Sequence, residues 1–192
     1  MVDFLYSIDK TVFYFINTTL ANPVFDAVMP ALTDWNKSWI GLSIFGALWL
    51  LLVVNGGRKG RVIGVMLIVL IIFSDQFSSH LLKPIFARPR PCHIPLDNLR
   101  LLVDCGSGFS FPSSHAVNNT AFAVYMSYYY RRLGWLFAVY AFLMCLSRVV
   151  VGVHYPSDVL GGAVVGVSCA VMLVYIQTNL AKKFPPLDIT EQ

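Results

Sequence analysis

The chain has 192 residues, of which 57% are hydrophobic and only 12% charged, with a formal net charge of +4. Soluble domains carry about 25% charged residues, so this deficit, with a mean hydropathy of +0.66, excludes an ordinary soluble domain and points to a membrane. The basic residues lie in short clusters between apolar stretches, which excludes a nucleic-acid-binding surface.

The length suits one domain. The first ten residues lack a basic start followed by an apolar run, so they do not read as a cleavable signal peptide. Thr11–Thr33 is apolar but interrupted by Pro23, Asp26 and Pro30, which suggests one or two helices lying at the membrane interface; a sixth, broken span is the alternative. A bilayer core asks for roughly 20 mostly apolar residues in a helix. Five stretches meet that requirement: 38–54, 62–82, 114–130, 134–152 and 156–180. The turn Asn55–Arg61 joins the first two, a Pro-rich loop from about 84 to 111 the next, and Arg131-Arg132 the fourth to the third. The expected fold is an all-α, polytopic membrane helix bundle of five spans. Residues 1–35 form its interfacial segment, 36–183 the bundle and 184–192 a cytoplasmic tail. Asp75, Gln76 and His80 are expected to pack between helices, Asn118 and Asn119 to hydrogen-bond across them, and Gly162 and Gly166 to form a small-residue contact.

In a five-span chain, Arg58, Lys59, Arg61, Arg131, Arg132, Lys182 and Lys183 fall on one side of the membrane. Lys10, Lys37, Lys83, Arg88, Arg90, Arg100 and Arg148 fall on the other, so the raw count is a tie. The tie breaks if Lys83, Arg90 and Arg148 are phosphate ligands, and the basic turns are then cytoplasmic. The 84–111 loop would lie outside, where Cys92 and Cys105 can pair in an oxidising compartment or remain two free thiols. Cys145 and Cys169 read as packing residues.

Three polar clusters interrupt the apolar pattern, all at the same predicted face. They are Lys83 to Arg90-Pro91, Pro112-Ser113-Ser114-His115, and Ser147-Arg148 with His154 and Asp158. Charged groups near a bilayer are costly and are functional candidates by default. Lys83, Arg90 and Arg148 supply three cations, and guanidinium groups bind phosphate oxygens in pairs. Pro112 suits a first helical turn whose N–H groups, with the Ser113 hydroxyl, would add an anion site. Asp158 can fix the tautomer of His154 and leave one ring nitrogen free to attack. His115 remains as general acid. Each cluster also has a plainer reading: a juxtamembrane charge anchor, a helix cap, a snorkelling arginine, an interfacial histidine. Their conjunction, in order and on one face, argues against those readings.

The same residues resemble the type 2 phosphatidic acid phosphatase family, whose fold core is shared with vanadium haloperoxidases and bacterial acid phosphatases. The family's first motif, Lys, six residues, Arg-Pro, is matched by Lys83 and Arg90-Pro91. Its second, Pro-Ser-Gly-His, is matched by Pro112 to His115 with Ser114 in place of glycine. Its third, Ser-Arg, five residues, His, three residues, Asp, is matched by Ser147, Arg148, His154 and Asp158. The resemblance implies that His154 forms a phosphohistidine, Asp158 orients it and His115 protonates the leaving group. Lys83, Arg90, Ser113, the backbone of Ser114 and Arg148 would hold the phosphate, with no metal and no cofactor. The role of Arg88, inside the first motif, stays open.

The expected activity is hydrolysis of a lipid phosphate mono- or diphosphate ester at the periplasmic face of a bacterial inner membrane. Undecaprenyl diphosphate, phosphatidylglycerol phosphate, phosphatidic acid and lipid A 1-phosphate are the candidate substrates, the first slightly preferred for the chain's compact size. The expected partners are the lipid substrate and the bilayer, with no nucleic acid and no obligatory protein partner. A lipid phosphotransferase and a catalytically idle lipid-binding or transport protein are the alternatives. The intact His115, His154 and Asp158 speak against the idle protein, which needs the cations but not the nucleophile.

Overall fold

A computed structural model describes residues 2–183; the expected tail, 184–192, lies outside the described residues. The described chain is all-α. Helix α1 (Val2–Tyr14) runs into a π turn, Phe15–Thr19, and α2 (Pro23–Asp34) follows. Asn22 caps α2 by accepting from the N–H groups of Val24 and Phe25 at 3.0 Å, and Pro23 takes the first helical position. Next come α3 (Trp39–Asn55), capped by Ser38, and α4 (Gly57–Gln76). A π turn, Phe77–Leu82, carries α4 into the single turn α5 (Lys83–Phe86). After a long loop stand α6 (Ser114–Tyr129), α7 (Gly134–Val150) and α8 (Pro156–Lys183).

Three helical stretches are long and apolar enough to cross a membrane: Gly57–Phe86, Arg131–Val150 and Pro156–Lys183. A fourth is available if α2 and α3, bent by 57° at their break, count as one broken span. This is fewer than the five expected. Helix α6 has 16 residues and α3 has 17, which at 1.5 Å per residue is about 24–26 Å, short of a hydrocarbon core of about 30 Å. The expected turn Asn55–Arg61 is also shorter than read. It closes at Gly56, and Arg58, Lys59 and Arg61 already lie in α4, as strong helix formers do once the glycine break is passed.

Helix α6 is central and packs most extensively on α8 and α7, with α4 on its other flank. Gly162 and Gly166 make the α6–α8 contact close. A Cβ at Gly166 would sit 2.4 Å from the Val117 carbonyl oxygen, and one at Gly162 2.7 Å from that of Ser113. The opposite face of α8 is apolar and exposed, with Leu160, Val164, Val171 and Tyr175 pointing outward. Polar groups turn inward instead: Tyr125 of α6 donates to Gln177 of α8 at 3.0 Å. Small and polar residues inside with large apolar residues outside is the pattern of a bundle solvated by lipid.

Asn118 donates to Asp75 at 2.9 Å and accepts from Ser74 at 2.8 Å, while Tyr140 donates to Asn119 at 2.7 Å. Both asparagines therefore join helices as expected, and Asp75 does too. Gln76 and His80 do not; both are exposed, Gln76 as the last residue of α4 and His80 within the π turn, off the side that carries Ser74, Asp75 and Ser78.

Candidate active site

The C-terminal ends of α5 and α7 and the N-terminal ends of α6 and α8 meet at one end of the bundle, and the motif residues ride on them. The basic residues Arg58, Arg131, Arg132, Lys182 and Lys183 sit at the other ends of the same helices.

His154 lies between α7 and α8, not on a backward extension of α8. Helix α7 stops because Gly152 adopts a left-handed conformation (φ 87°). A Cβ there would lie 2.4 Å from the Arg100 carbonyl oxygen, so only glycine fits. The chain then turns back, and the N–H groups of Val153 and His154 both donate to the Arg148 carbonyl at 3.3 Å. Pro156 opens α8, and Asp158, in its first turn, accepts from the N–H of Tyr155 at 2.8 Å. This turn brings His154 Nδ1 to 3.5 Å from Asp158 Oδ2, with the residues 2% and 0% exposed.

A residue that the sequence did not single out stands between them. Ser110 Oγ lies 3.2 Å from His154 Nδ1 and also donates to Asp158 Oδ2 in a very short bond. A carboxylate only accepts, so the one hydroxyl proton is committed to Asp158 and Oγ must accept from Nδ1. Nδ1 therefore carries the proton, and Nε2 keeps its lone pair. Nε2 faces Arg90 Nη1 at 3.5 Å. Burial, with the charges of Arg148 and Arg90 adding to it, drives the His154 pKa from 6.5 down to about 3, so the ring is neutral at ordinary pH.

Arg90 and Arg148 both act electrostatically on the His154 ring, and Lys83 on Asp158. Lys83 interacts electrostatically with Arg90, Arg148, Asp75 and Asp158, and Arg148 with Arg90. Arg90 is fixed by donating from Nε to the Gly108 carbonyl at 3.3 Å, and burial lowers its pKa. Among the described residues, Arg148 Nε and Ser113 Oγ are buried and meet no partner, which is what an anion-binding cradle requires of its donors.

The second motif departs from expectation in one respect. Pro112 is not in the first turn of α6 but precedes it, through a cis Phe111–Pro112 peptide bond, and Ser113 is the residue ahead of the helix. The Ser113 N–H is taken by the Asp158 carbonyl at 3.0 Å, and the helical ladder opens with Val117 donating to the Ser113 carbonyl. The N–H groups of Ser114, His115 and Ala116 precede that first bond. Ser114 does not send its side chain to the site; its hydroxyl meets those of Ser78 and Ser79 at 3.1 Å and ties α6 to the π turn.

The N-terminal helices reach the same place, which the sequence did not foretell. Thr33 of α2 holds two motif residues: its carbonyl accepts from His115 Nε2 at 3.0 Å, and its Oγ1 accepts from Arg148 Nη1 at 2.6 Å. Asp9 of α1 pairs with Arg88 at 2.6 Å, and Arg88 pairs with Asp158 at 2.6 Å. Burial alone would lower the Arg88 pKa, but these carboxylates outweigh it and raise it. In the loop above, Cys92 and Cys105 form a disulfide, S–S 1.98 Å.

Residues 64–182 match the family model of the PAP2 superfamily. The chain is 31% identical over 173 residues to a lipid A 4'-phosphatase of Bacteroides thetaiotaomicron, covering 86% of this chain and 75% of that protein. It is 27% identical over 146 residues to the undecaprenyl-diphosphatase BcrC of Bacillus subtilis, covering 76% and 72%. Its fold is similar to the crystal structure of Aquifex aeolicus LpxE, with a TM-score of 0.70 and 25% identity, over 88% of this chain and 95% of that one. The chain belongs to the PAP2 superfamily, as a membrane lipid phosphatase.

Proposed function

We propose that the chain removes phosphate from a lipid phosphate mono- or diphosphate ester through a phosphohistidine on His154, at the outer face of a bacterial inner membrane. The observation that carries this reading is the bond pattern at Ser110, which gives Nδ1 the proton and leaves the Nε2 lone pair directed to the side where Arg90 stands. In the first step Nε2 bonds to phosphorus while the bond from phosphorus to the leaving oxygen breaks. Lys83, Arg90, Arg148, the Ser113 hydroxyl and the backbone of Ser114 hold the phosphoryl oxygens. His115 gives its proton to the leaving oxygen. A carbonyl only accepts, so the Nε2 proton of His115 is committed to Thr33; the acid is therefore the imidazolium, formed beside the anionic phosphate, which gives its Nδ1 proton and is left neutral. Water then attacks phosphorus, His115 takes a proton from it, the N–P bond breaks and orthophosphate leaves.

The siting outside goes with five crossings, in which α3 and α6, each short of a full span, cross together with α4–α5, α7 and α8. It puts the basic turns together on the cytoplasmic side and the disulfide-bearing loop in an oxidising compartment. Helices α1 and α2 then lie at the outer interface. The similar proteins are named for phosphates of lipid A and of undecaprenyl diphosphate. Apolar outer faces on α4 and α8 suit a substrate that arrives from the lipid with its headgroup at the cations.

The test is phosphate release by detergent-purified protein from undecaprenyl diphosphate, phosphatidylglycerol phosphate, phosphatidic acid and lipid A carrying its 1- or 4'-phosphate, with EDTA present. Turnover of at least one lipid that survives EDTA and is abolished in His154→Ala is expected. Activity that EDTA removes, or that persists in His154→Ala, overturns the reading.

A further inference from the structure

We propose that Arg88, clamped by Asp9 of α1, is a positioning residue for the Asp158–His154 pair, so that α1 is a working part of the active site. The inference rests on the phosphohistidine reading above and goes beyond it, because that reading uses neither Arg88 nor Asp9.

The geometry is specific. Arg88 Nη1 donates to Asp158 Oδ1 at 2.6 Å and to Ser157 Oγ at 2.7 Å, while Nη2 donates to Asp9 Oδ2 at 2.6 Å. Its guanidinium lies 4.2 Å from the Tyr155 ring centroid and 5.8 Å from that of Tyr6, and the two tyrosine hydroxyls are 3.2 Å apart. Asp9 is 8% exposed and closes the arrangement from the other side, accepting from the Ser157 N–H at 2.9 Å and from its hydroxyl at 2.5 Å.

Asp158 therefore has both oxygens engaged. Oδ1 takes Arg88; Oδ2 takes Ser110 and the Tyr155 N–H and faces His154. A carboxylate held at one oxygen only can rotate about its last bond, and the His154 ring would follow it. Gripping Oδ1 removes that rotation and fixes the direction of the Nε2 lone pair. Arg88 is set apart from Lys83, Arg90 and Arg148 by its partners. A cation between two carboxylates offers little net charge to a phosphate, so its contribution falls on the rate of attack and not on capture of the substrate.

The experiment compares Arg88→Gln, Arg88→Lys, Asp9→Asn and the double variant Arg88→Gln/Asp9→Asn, using the panel lipid that the native chain turns over fastest. The readouts are kcat, KM, the rate of phosphoenzyme formation after rapid mixing, and Tm in detergent. Arg88→Gln is expected to lower kcat and the phosphoenzyme rate together by about 10- to 100-fold, with KM within about threefold of native. Asp9→Asn should lower the same two quantities less, and the double variant should be no worse than Arg88→Gln. Arg88→Lys, which keeps a cation, should recover part of the rate. A rise in KM at unchanged kcat would make Arg88 a phosphate ligand. A lower Tm with native kcat per folded molecule would make it a fold anchor, and multiplying effects would uncouple Asp9 from it; each overturns the proposal. Activity in His154→Ala, run alongside, would instead sink the phosphohistidine reading.

Discussion

His154 shows how one side chain is prepared by its surroundings. Its ring is buried among arginines, so the neutral form is favoured in the folded chain, while the unfolded chain binds a proton at the ordinary histidine pKa of 6.5. Between about pH 6.5 and about 3 the unfolded state holds more protons, so stability must fall as the pH falls through that window. At pH 5 the loss from this group is about 2 kcal/mol relative to pH 8, 1.36 kcal/mol for each pH unit below 6.5. Replacing His154 by Gln removes the linkage, and the drop in detergent Tm between pH 8 and pH 5 should be smaller in His154→Gln than in the native chain. An equal drop in both would show that His154 is not held neutral by burial. Most of this site was legible at the level of residues: Lys83, Arg90, Ser113, Arg148, His154 and Asp158 converge as their motif order and chemistry suggest. Ser110, Thr33 and Asp9 were not. A serine in a loop, a threonine at a helix end and an aspartate near the start of the chain carry no signal until tertiary contacts reveal their partners. Thr33, moreover, contributes a backbone carbonyl, which no side-chain identity encodes.

Among the elements, α6 and α8 carry the second and third motifs, and their separation sets the site. Gly166 and Gly162 hold them close. Gly166→Ala places a Cβ 2.4 Å from a carbonyl oxygen that cannot move away without shifting α6. It should cost about 1–3 kcal/mol of stability and lower kcat, because His115 and Asp158 ride on the two helices forced apart. Gly46→Ala on α3, where none of the described residues lies within 4 Å of the added carbon, is the control and should leave both unchanged. A native Tm and kcat in Gly166→Ala would show that the bundle closes the site without this contact. The glycine spacing was readable in the sequence, as were the cores of α3, α4, α7 and α8, because apolar runs bounded by basic turns report helices directly. The extent of α4 into a π turn was not, because apolar periodicity does not register one inserted residue. Helix α6 reads as a span by composition, yet it has 16 residues, and its first turn is polar, with Ser114 bonded to Ser78 and Ser79 and His115 to Thr33.

For the whole molecule, the N-terminal helices owe most of their placement to tertiary contacts. Prolines and Asp26 suggested a segment resting at the interface. In the folded chain α1 and α2 pack on α8 and α7, and Asn17 and Arg100 lock them to the loop between α5 and α6 through bonds of 2.8–3.0 Å. Their helical character follows from the sequence; their docking depends on buried polar pairs far apart in the chain. The result joins five segments at one end of a bundle: α1, α2, the end of α4–α5, the start of α6 and the turn between α7 and α8. The convergence has one chemical consequence that can be observed directly. Protein mixed with a substrate lipid labelled with ³²P on its outer phosphate, quenched in alkali within the first turnover and digested, should carry alkali-stable, acid-labile label on the peptide containing His154, with EDTA present and with none in His154→Ala. Label on another residue, or substrate turnover with no labelled protein at any time, would contradict the account.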